Sequence, residues 1–352
     1  MTQFLRCAAL GLAGLGACSG KSVDLEQPMA ASGSSGAGGS AAAAELVFEQ
    51  HGTPLLNKLL VDDTRLYWQT EDSVFQSCLK SGCQHSVITY SKNADQNGWS
   101  NVAVSAGQVF WQAYSPRGEI DSCPRAGCAG KPTRLIRDPD MNFDAGITSQ
   151  NGDVYWRSTF DLYRCAASGC GQAPAIVDLG ERDIPQFDGA YAYWIDSDLN
   201  TGSTFIRRAP LDGSSPAATL YEITDTPRTA PDVQWLAIAG DRLYWTDRAA
   251  RVLSCPSSGC SGDPTLLDSS MSLKGYLEAD SAGVYWIEGE QYPYDSNSVH
   301  FCPSAGCASG SSALTGLGVA AYALDADSLY YIDQVSMDWN GMGGQIHRVA
   351  RP

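Results

Sequence analysis

The chain of 352 residues has only 4 His, and 23 Lys and Arg stand against 39 Asp and Glu, a formal net charge of −16. This shortage of positive charge excludes a nucleic-acid backbone or an anionic membrane surface as the main partner, because both would repel it. No apolar run reaches the roughly 20 residues that cross a bilayer as a helix. The motifs C-x-x-C-H, G-x-S-x-G and H-E-x-x-H are absent, so covalent haem, a nucleophile elbow and a zincin-type site have no support. Long amphipathic helical patterns are missing as well. What is present in quantity is Gly (36), Cys (12) and hydrophobic residues (43%, against 18% charged), which suits a buried core and not an acidic disordered chain.

From Glu45 onward the chain repeats. An aromatic doublet recurs at Tyr67-Trp68, Phe110-Trp111, Tyr155-Trp156, Tyr193-Trp194, Tyr244-Trp245, Tyr285-Trp286 and Tyr330-Tyr331, with second members 43, 45, 38, 51, 41 and 45 residues apart. That spacing is that of a four-stranded propeller blade. Each doublet follows a Gly, Asp or Ser-rich turn, and a short apolar strand such as Trp235-Leu236-Ala237-Ile238-Ala239 precedes the turn. Seven near-equal repeats predict an all-β, seven-bladed β-propeller, since a closed ring accounts for them better than a sandwich does. The seventh repeat ends at its third strand, Gln345 to Ala350, while Glu45 to Glu49 reads like a fourth strand. The ring is therefore expected to close by the N-terminal strand completing the last blade.

Ten cysteines form five copies of C-x-x-x-G-C: Cys78 with Cys83, Cys123 with Cys128, Cys165 with Cys170, Cys255 with Cys260, and Cys302 with Cys307. The spacing brackets a tight turn with Gly before the second cysteine, and opposed hairpin positions approach disulfide distance. Five disulfides are predicted, each stapling the turn between a blade's third and fourth strands. Zinc is the rival reading, but its cysteine pairs need a second pair nearby, whereas these fall in separate blades. In the fourth repeat both cysteines are replaced together, in Ala209-Pro210-Leu211-Asp212-Gly213-Ser214, as paired loss of a bridge requires.

Tyr244-Trp245-Thr246-Asp247 resembles the motif of the YWTD propellers in low-density-lipoprotein-receptor-type proteins, with looser forms at Tyr193-Trp194-Ile195-Asp196 and Tyr330-Tyr331-Ile332-Asp333. The resemblance covers 45–352 as a blade pattern and implies extracellular protein binding on a rigid disc. That family has six blades against the seven counted here, and none of its binding residues carries over.

The first 44 residues stand apart. Arg6, the apolar run Cys7 to Ala17 and Leu15-Gly16-Ala17-Cys18 resemble a bacterial lipoprotein signal with its lipobox, which implies acylation of Cys18 after removal of 1–17. Ordinary secretion with a fortuitous cysteine is the alternative. Ser19 after the cysteine implies, by resemblance to enterobacterial sorting, the outer membrane. Residues 18–44, rich in Gly, Ser and Ala, read as a flexible tether, and 45–352 as the propeller.

Function on such a scaffold is expected on the loops joining second to third strands and one blade to the next. These carry Trp99, Tyr114, Trp235, Tyr292, Tyr294 and Trp339 beside Asp196, Asp198, Glu288 and Glu290. An aromatic and acidic rim suits a protein, peptide or glycan ligand and could bind Ca²⁺; no other cofactor is expected. Acidic loops that merely keep the disc soluble are the plainer alternative for each residue. The four His fall on the first connection or on outer strands and are not expected to converge. The sequence thus points to a monomeric, envelope-tethered binding module, touching the membrane through its lipid alone. The alternative is a lactonase-like, Ca²⁺-dependent hydrolase or lyase with its site at the channel mouth.

Overall fold

The computed structural model describes residues 43–51, 55–70, 74–92, 94, 102–105, 107–113, 118–137, 146–158, 161–169, 175–178, 185–198, 203–223, 233–269, 272, 274–289, 296–307, 310–316, 318–333 and 343–352. It describes backbone alone at 55–57, 157–158, 161, 175–178, 197–198 and 274.

The chain opens with β1 (Glu45–His51). Six blades of four strands follow in order: β2 (Leu55–Val61), β3 (Arg65–Thr70), β4 (Phe75–Leu79) and β5 (Ile88–Ser91); β6 (Val102–Ser105), β7 (Gln108–Gln112), β8 (Glu119–Pro124) and β9 (Thr133–Arg137); β10 (Ile147–Gln150), β11 (Asp153–Ser158), β12 (Asp161–Ala166) and β13 (Ala175–Asp178). Then come β14 (Gln186–Phe187), β15 (Tyr191–Asp198), β16 (Ser203–Pro210) and β17 (Ala218–Ile223); β18 (Val233–Ala239), β19 (Arg242–Asp247), β20 (Val252–Pro256) and β21 (Thr265–Asp268); β22 (Lys274–Ala279), β23 (Gly283–Glu288), β24 (Ser298–Pro303) and β25 (Ser312–Ala313). The seventh blade is β26 (Val319–Leu324), β27 (Ser328–Asp333) and β28 (Gly343–Ala350), with β1 as its fourth strand, in the order β1-β28-β27-β26. All pairings between these strands are antiparallel, and the fold is the seven-bladed propeller that the repeats predict.

The doublets explain why seven separate sheets make one body. Neighbouring residues of a strand point to opposite faces of its sheet. The first aromatic therefore meets the next blade and the second meets the preceding one. Tyr67 packs with Trp111, Phe110 with Trp156, Tyr155 with Trp194, Tyr193 with Trp245, Tyr244 with Trp286 and Tyr285 with Tyr331, each pair in its own buried cluster between two blades. Tyr330 and Trp68 share the cluster that joins blade seven to blade one, and Phe48 of β1 lies in it, 4.7 Å from the Trp68 ring. Sheet pairing and aromatic packing thus close the ring at the same place.

Four of the predicted bridges are formed, Cys78–Cys83, Cys123–Cys128, Cys255–Cys260 and Cys302–Cys307, with Cα separations from 4.8 to 5.5 Å. Cys170, of the fifth pair, lies outside the described residues. Each bridge closes a short loop after a third strand, worth about 2 kcal/mol in the chain-entropy account, so the staples guard the outer hairpins and do not create the fold. Gly127, Gly169, Gly259 and Gly306 take positive φ before their second cysteine; Gly82 is instead extended, at φ 174°, and leads into a 3₁₀ turn at Cys83–His85. In blade four Gly213 keeps the positive φ, and the Asp212 carboxylate accepts the Ser214 N–H at 2.9 Å where a bridge stands elsewhere. Disulfides are features of extracellular and envelope proteins. Among the described residues no helix is long and apolar enough to cross a membrane.

Candidate functional site

Antiparallel order divides the disc into two faces. Turns from first to second and from third to fourth strands lie on one, here the turn face. Second-to-third loops and blade connections lie on the other, the loop face. The first strands, β2, β6, β10, β14, β18, β22 and β26, each sit at one end of their sheet and line the central channel of such a ring.

The turn face is locked by a repeated device. In four blades an Asp stands five residues before the doublet Tyr: Asp62, Asp188, Asp280 and Asp325. One carboxylate oxygen of Asp62 accepts the Thr64 and Arg65 N–H groups, and the other accepts the Tyr67 hydroxyl at 2.6 Å. Asp188 treats Ala190, Tyr191 and Tyr193 alike. For Asp62, Asp280 and Asp325 the next blade adds a cation two residues past its third-strand bridge position. Arg125 reaches Asp62 at 2.6 Å, Lys80 reaches Asp325 at 2.8 Å, and Arg351 pairs with Asp280 while its guanidinium lies over the Tyr285 ring. The three blades without that Asp carry Ser105, Gln150 and Ala239 there and are followed by Ala167, Leu211 and Ser304, while Asp188 is followed by Ser257, so a cation stands there only after a blade with the acid, though not after every one.

Burial alone would raise the Asp62, Asp188 and Asp325 carboxyls. Hydrogen bonds from Tyr67 and Arg125 to Asp62, from Tyr193 to Asp188 and from Lys80 to Asp325, with turn N–H groups, outweigh it and hold all three below the usual range. Depressed carboxylates stabilise the fold above their unfolded pKa of about 3.9 and lose that contribution as pH falls through the native value. Thermal unfolding midpoints should therefore drop chiefly below about pH 4. Asp62→Asn should shallow that drop, and an identical acid profile in the variant would contradict the role given to Asp62.

On the loop face the carboxylate two residues past the doublet is engaged in blades four to seven. Asp196 pairs with Arg207 at 2.9 Å, and the fully buried Asp247 with Arg251 at 2.7 Å while also accepting the Ala249 and Arg251 N–H groups. The Asp of the YWTD-like motif thus closes its own second-to-third turn. Glu288 accepts the Trp286 indole N–H and lies 3.6 Å from His300, which stacks on Trp286. Asp333 lies 3.9 Å from His347, which stacks on Tyr331; burial raises that carboxyl and lowers that imidazole, so the pair tends toward the neutral forms. His300 and His347 belong to separate blades, as expected.

Trp235, on the loop-face half of β18, is half-buried and stacks on Tyr276 of β22 at 5.1 Å between ring centres. Tyr276 has φ +48°, in the left-handed region, within a bulge of β22 between Gly275 and Glu278. Tyr322 of blade seven fills that bulge: its hydroxyl bonds the Tyr276 and Tyr285 carbonyls and accepts the Glu278 N–H. Asp198 pairs with Ser203 in the β15–β16 ladder. Trp99, Tyr114, Tyr292, Tyr294, Trp339, Glu290 and the lipidation candidate Cys18 lie outside the described residues. Among the described residues no group of three or more His, Cys, Asp or Glu is placed to hold a metal ion.

Two ionisable groups on first strands are not foreshadowed in the sequence. Lys58 of β2 and Glu278 of β22 are both half-buried in the described structure. Burial pushes the Lys58 ammonium down to about 7 and the Glu278 carboxyl up to about 8.

No protein-family model matches the chain, and no curated protein matches its sequence. Solved structures do. YCF48 bound to D1 peptide is similar with a TM-score of 0.55 and 11% identity, over 89% of this chain and 96% of that one. Puromycin hydrolase gives 0.59 and 10%, over 81% of this chain and 50% of that one, so the propeller spans half of that enzyme's length. The nidogen/laminin complex gives 0.46 and 15%, over 69% and 89%, too remote to carry an argument on YWTD kinship. At these identities the likeness is one of fold, shared by binding proteins and a hydrolase alike.

Proposed function

We propose that the chain is a lipid-anchored envelope protein whose disc binds a protein, peptide or glycan through its loop face. The observation that carries this reading is the division of labour between the faces. On the turn face Asp62, Asp188, Asp280 and Asp325, with Arg125, Lys80 and Arg351, are committed to turns and inter-blade pairs, whereas the other face carries the half-buried Trp235 stacked on a left-handed Tyr276. Aromatic residues near a rigid rim suit recognition of apolar faces of peptides and sugars. YCF48, alike in fold, is solved with a peptide bound.

The anchor in this reading is Cys18, acylated and joined by 18–44 to β1 at the outer membrane. Glu45 pairs with Arg348 near the end of β28, so β1 enters the disc at the turn face and runs toward the loop face. The test is capture of envelope proteins and glycans by residues 45–352, comparing wild type with Trp99→Ala, Trp235→Ala and Trp339→Ala. At least one variant should lose about tenfold in affinity, or ~1.4 kcal/mol. Unchanged capture by all three would sink the proposal.

A further inference from the structure

Stapled loops rest on the blade before them, and at one place that blade is held together differently. In blade two the Arg125 carbonyl accepts the hydroxyl of Tyr90 on β5, and in blade five the Cys260 N–H donates to the Leu220 carbonyl of β17. Those outer strands are continuous with their own hairpins. The loop of blade one rests instead on β1, which comes from the other end of the chain and is joined to blade seven by pairing and packing alone.

This loop grips blade seven at two points. Lys80, between its two cysteines, reaches Asp325 at 2.8 Å, and both side chains are mostly buried. Gln84, directly after Cys83, meets the outer edge of β1: its carboxamide accepts the Glu49 N–H at 3.2 Å and donates to the Glu49 carbonyl at 3.3 Å, the two bonds that a further strand would make. The Cys78–Cys83 bridge fixes both points. Cys83 opens the 3₁₀ turn that carries Gln84, and the Ser86 hydroxyl ties the far end of that turn to the Gly82 carbonyl and the Leu79 N–H. Both cysteines are enclosed, at 0% and 2% exposure, in the cluster of Phe48, Trp68 and Tyr330 that closes the ring, whereas Cys128, Cys260 and Cys307 are only half-buried. We propose that the Cys78–Cys83 disulfide is a redox-sensitive latch on ring closure: formed, it holds Lys80 and Gln84 in the spacing that grips Asp325 and β1, and reduced, it lets β1 leave blade seven.

The reductant is a small dithiol. Its thiolate attacks one sulfur of the bridge, the S–S bond breaks, and the other cysteine leaves as a thiolate that takes a proton. The dithiol's second sulfur then resolves the mixed disulfide, so that two electrons pass to the protein and the dithiol becomes a cyclic disulfide. Coupling of this kind is reciprocal: the factor by which the bridge favours closure is the factor by which closure favours the bridge. The closed ring should therefore make Cys78–Cys83 the hardest of the four described bridges to reduce, and reduction of the other three should leave β1 in place.

The full chain is equilibrated in dithiothreitol buffers of graded reduced-to-oxidised ratio, free thiols are trapped by alkylation, and each cysteine peptide is read by mass spectrometry. Cys78–Cys83 should need a ratio about tenfold or more above that for Cys255–Cys260, a difference of about 30 mV for this two-electron couple. Gln84→Ala, a change at an exposed side chain, should bring the Cys78–Cys83 midpoint about threefold or more toward the others and leave Cys255–Cys260 unmoved. Cys78→Ser with Cys83→Ser should speed amide hydrogen exchange across 45–51 about tenfold or more, and Cys255→Ser with Cys260→Ser should not change it. Should the first of these double variants fail to fold, the order of reduction and Gln84→Ala decide. Equal midpoints for the two bridges, a Gln84→Ala midpoint like that of wild type, or exchange at 45–51 indifferent to the Cys78–Cys83 bridge would each overturn the proposal.

Discussion

Replacing Phe48 by Ala is expected to lower the stability of the disc by about 3–5 kcal/mol, the range for deleting a buried aromatic, and its unfolding midpoint on the order of 5–10 °C. Phe48 is the residue through which β1 enters the core that joins the first and last blades, in contact with Trp68 and in one cluster with Leu59, Tyr330 and Ile346. Removing the whole of residues 45–51 should do more. It strips β28 of its outer partner and leaves an open edge of hydrogen-bonding groups, an invitation to pairing between chains. The truncated disc should therefore aggregate or unfold at temperatures where the intact one is monomeric. Light scattering and thermal denaturation measure both outcomes. A truncated disc as stable and monodisperse as the intact one would mean that ring closure does not depend on this strand.

The second large effect separates two kinds of tryptophan. Trp245→Ala should lose about 3–5 kcal/mol, because its ring is wholly enclosed between blades four and five against Tyr193, Ile206 and Leu236. Trp235→Ala, ten residues earlier but only partly buried on the loop-face half of β18, should lose less than half as much, since its ring lies at the edge of its cluster and not inside it. Denaturant midpoints for the two variants check the contrast. Equal losses would mean that Trp235 is a packing residue, which would weaken its claim to the ligand face.

The fold was legible because its rules are local and recur. A doublet that faces two ways, a turn before it and a staple after the third strand repeat often enough for each copy to check the others, and the missing fourth strand was visible as a remainder at the opposite end. The ion pairs between blades were not read, although their residues were in plain view. Lys80 and Asp325 are separated by nearly the whole chain, and only alignment of blades by their doublets shows that each of these cations falls opposite an acid of the preceding blade. The positions of Asp196 and Glu288 after the doublet suggest loop carboxylates; the structure adds that Asp196 is held by Arg207 and Glu288 by Trp286 and His300, partners on the third strand or in the doublet itself. The setting of Glu278 has no local signature for a different reason: Tyr322, which bonds its backbone, comes from the next blade.

The proposal that ligands meet the loop face is tested most directly by immobilising the disc in two orientations. A single biotin can be placed on the turn face at Lys131 or on the loop face at Ser272, both exposed. The envelope partner should be captured by the disc held through Lys131 and lost when it is held through Ser272. Equal capture in both orientations, or capture only through Ser272, would contradict the account.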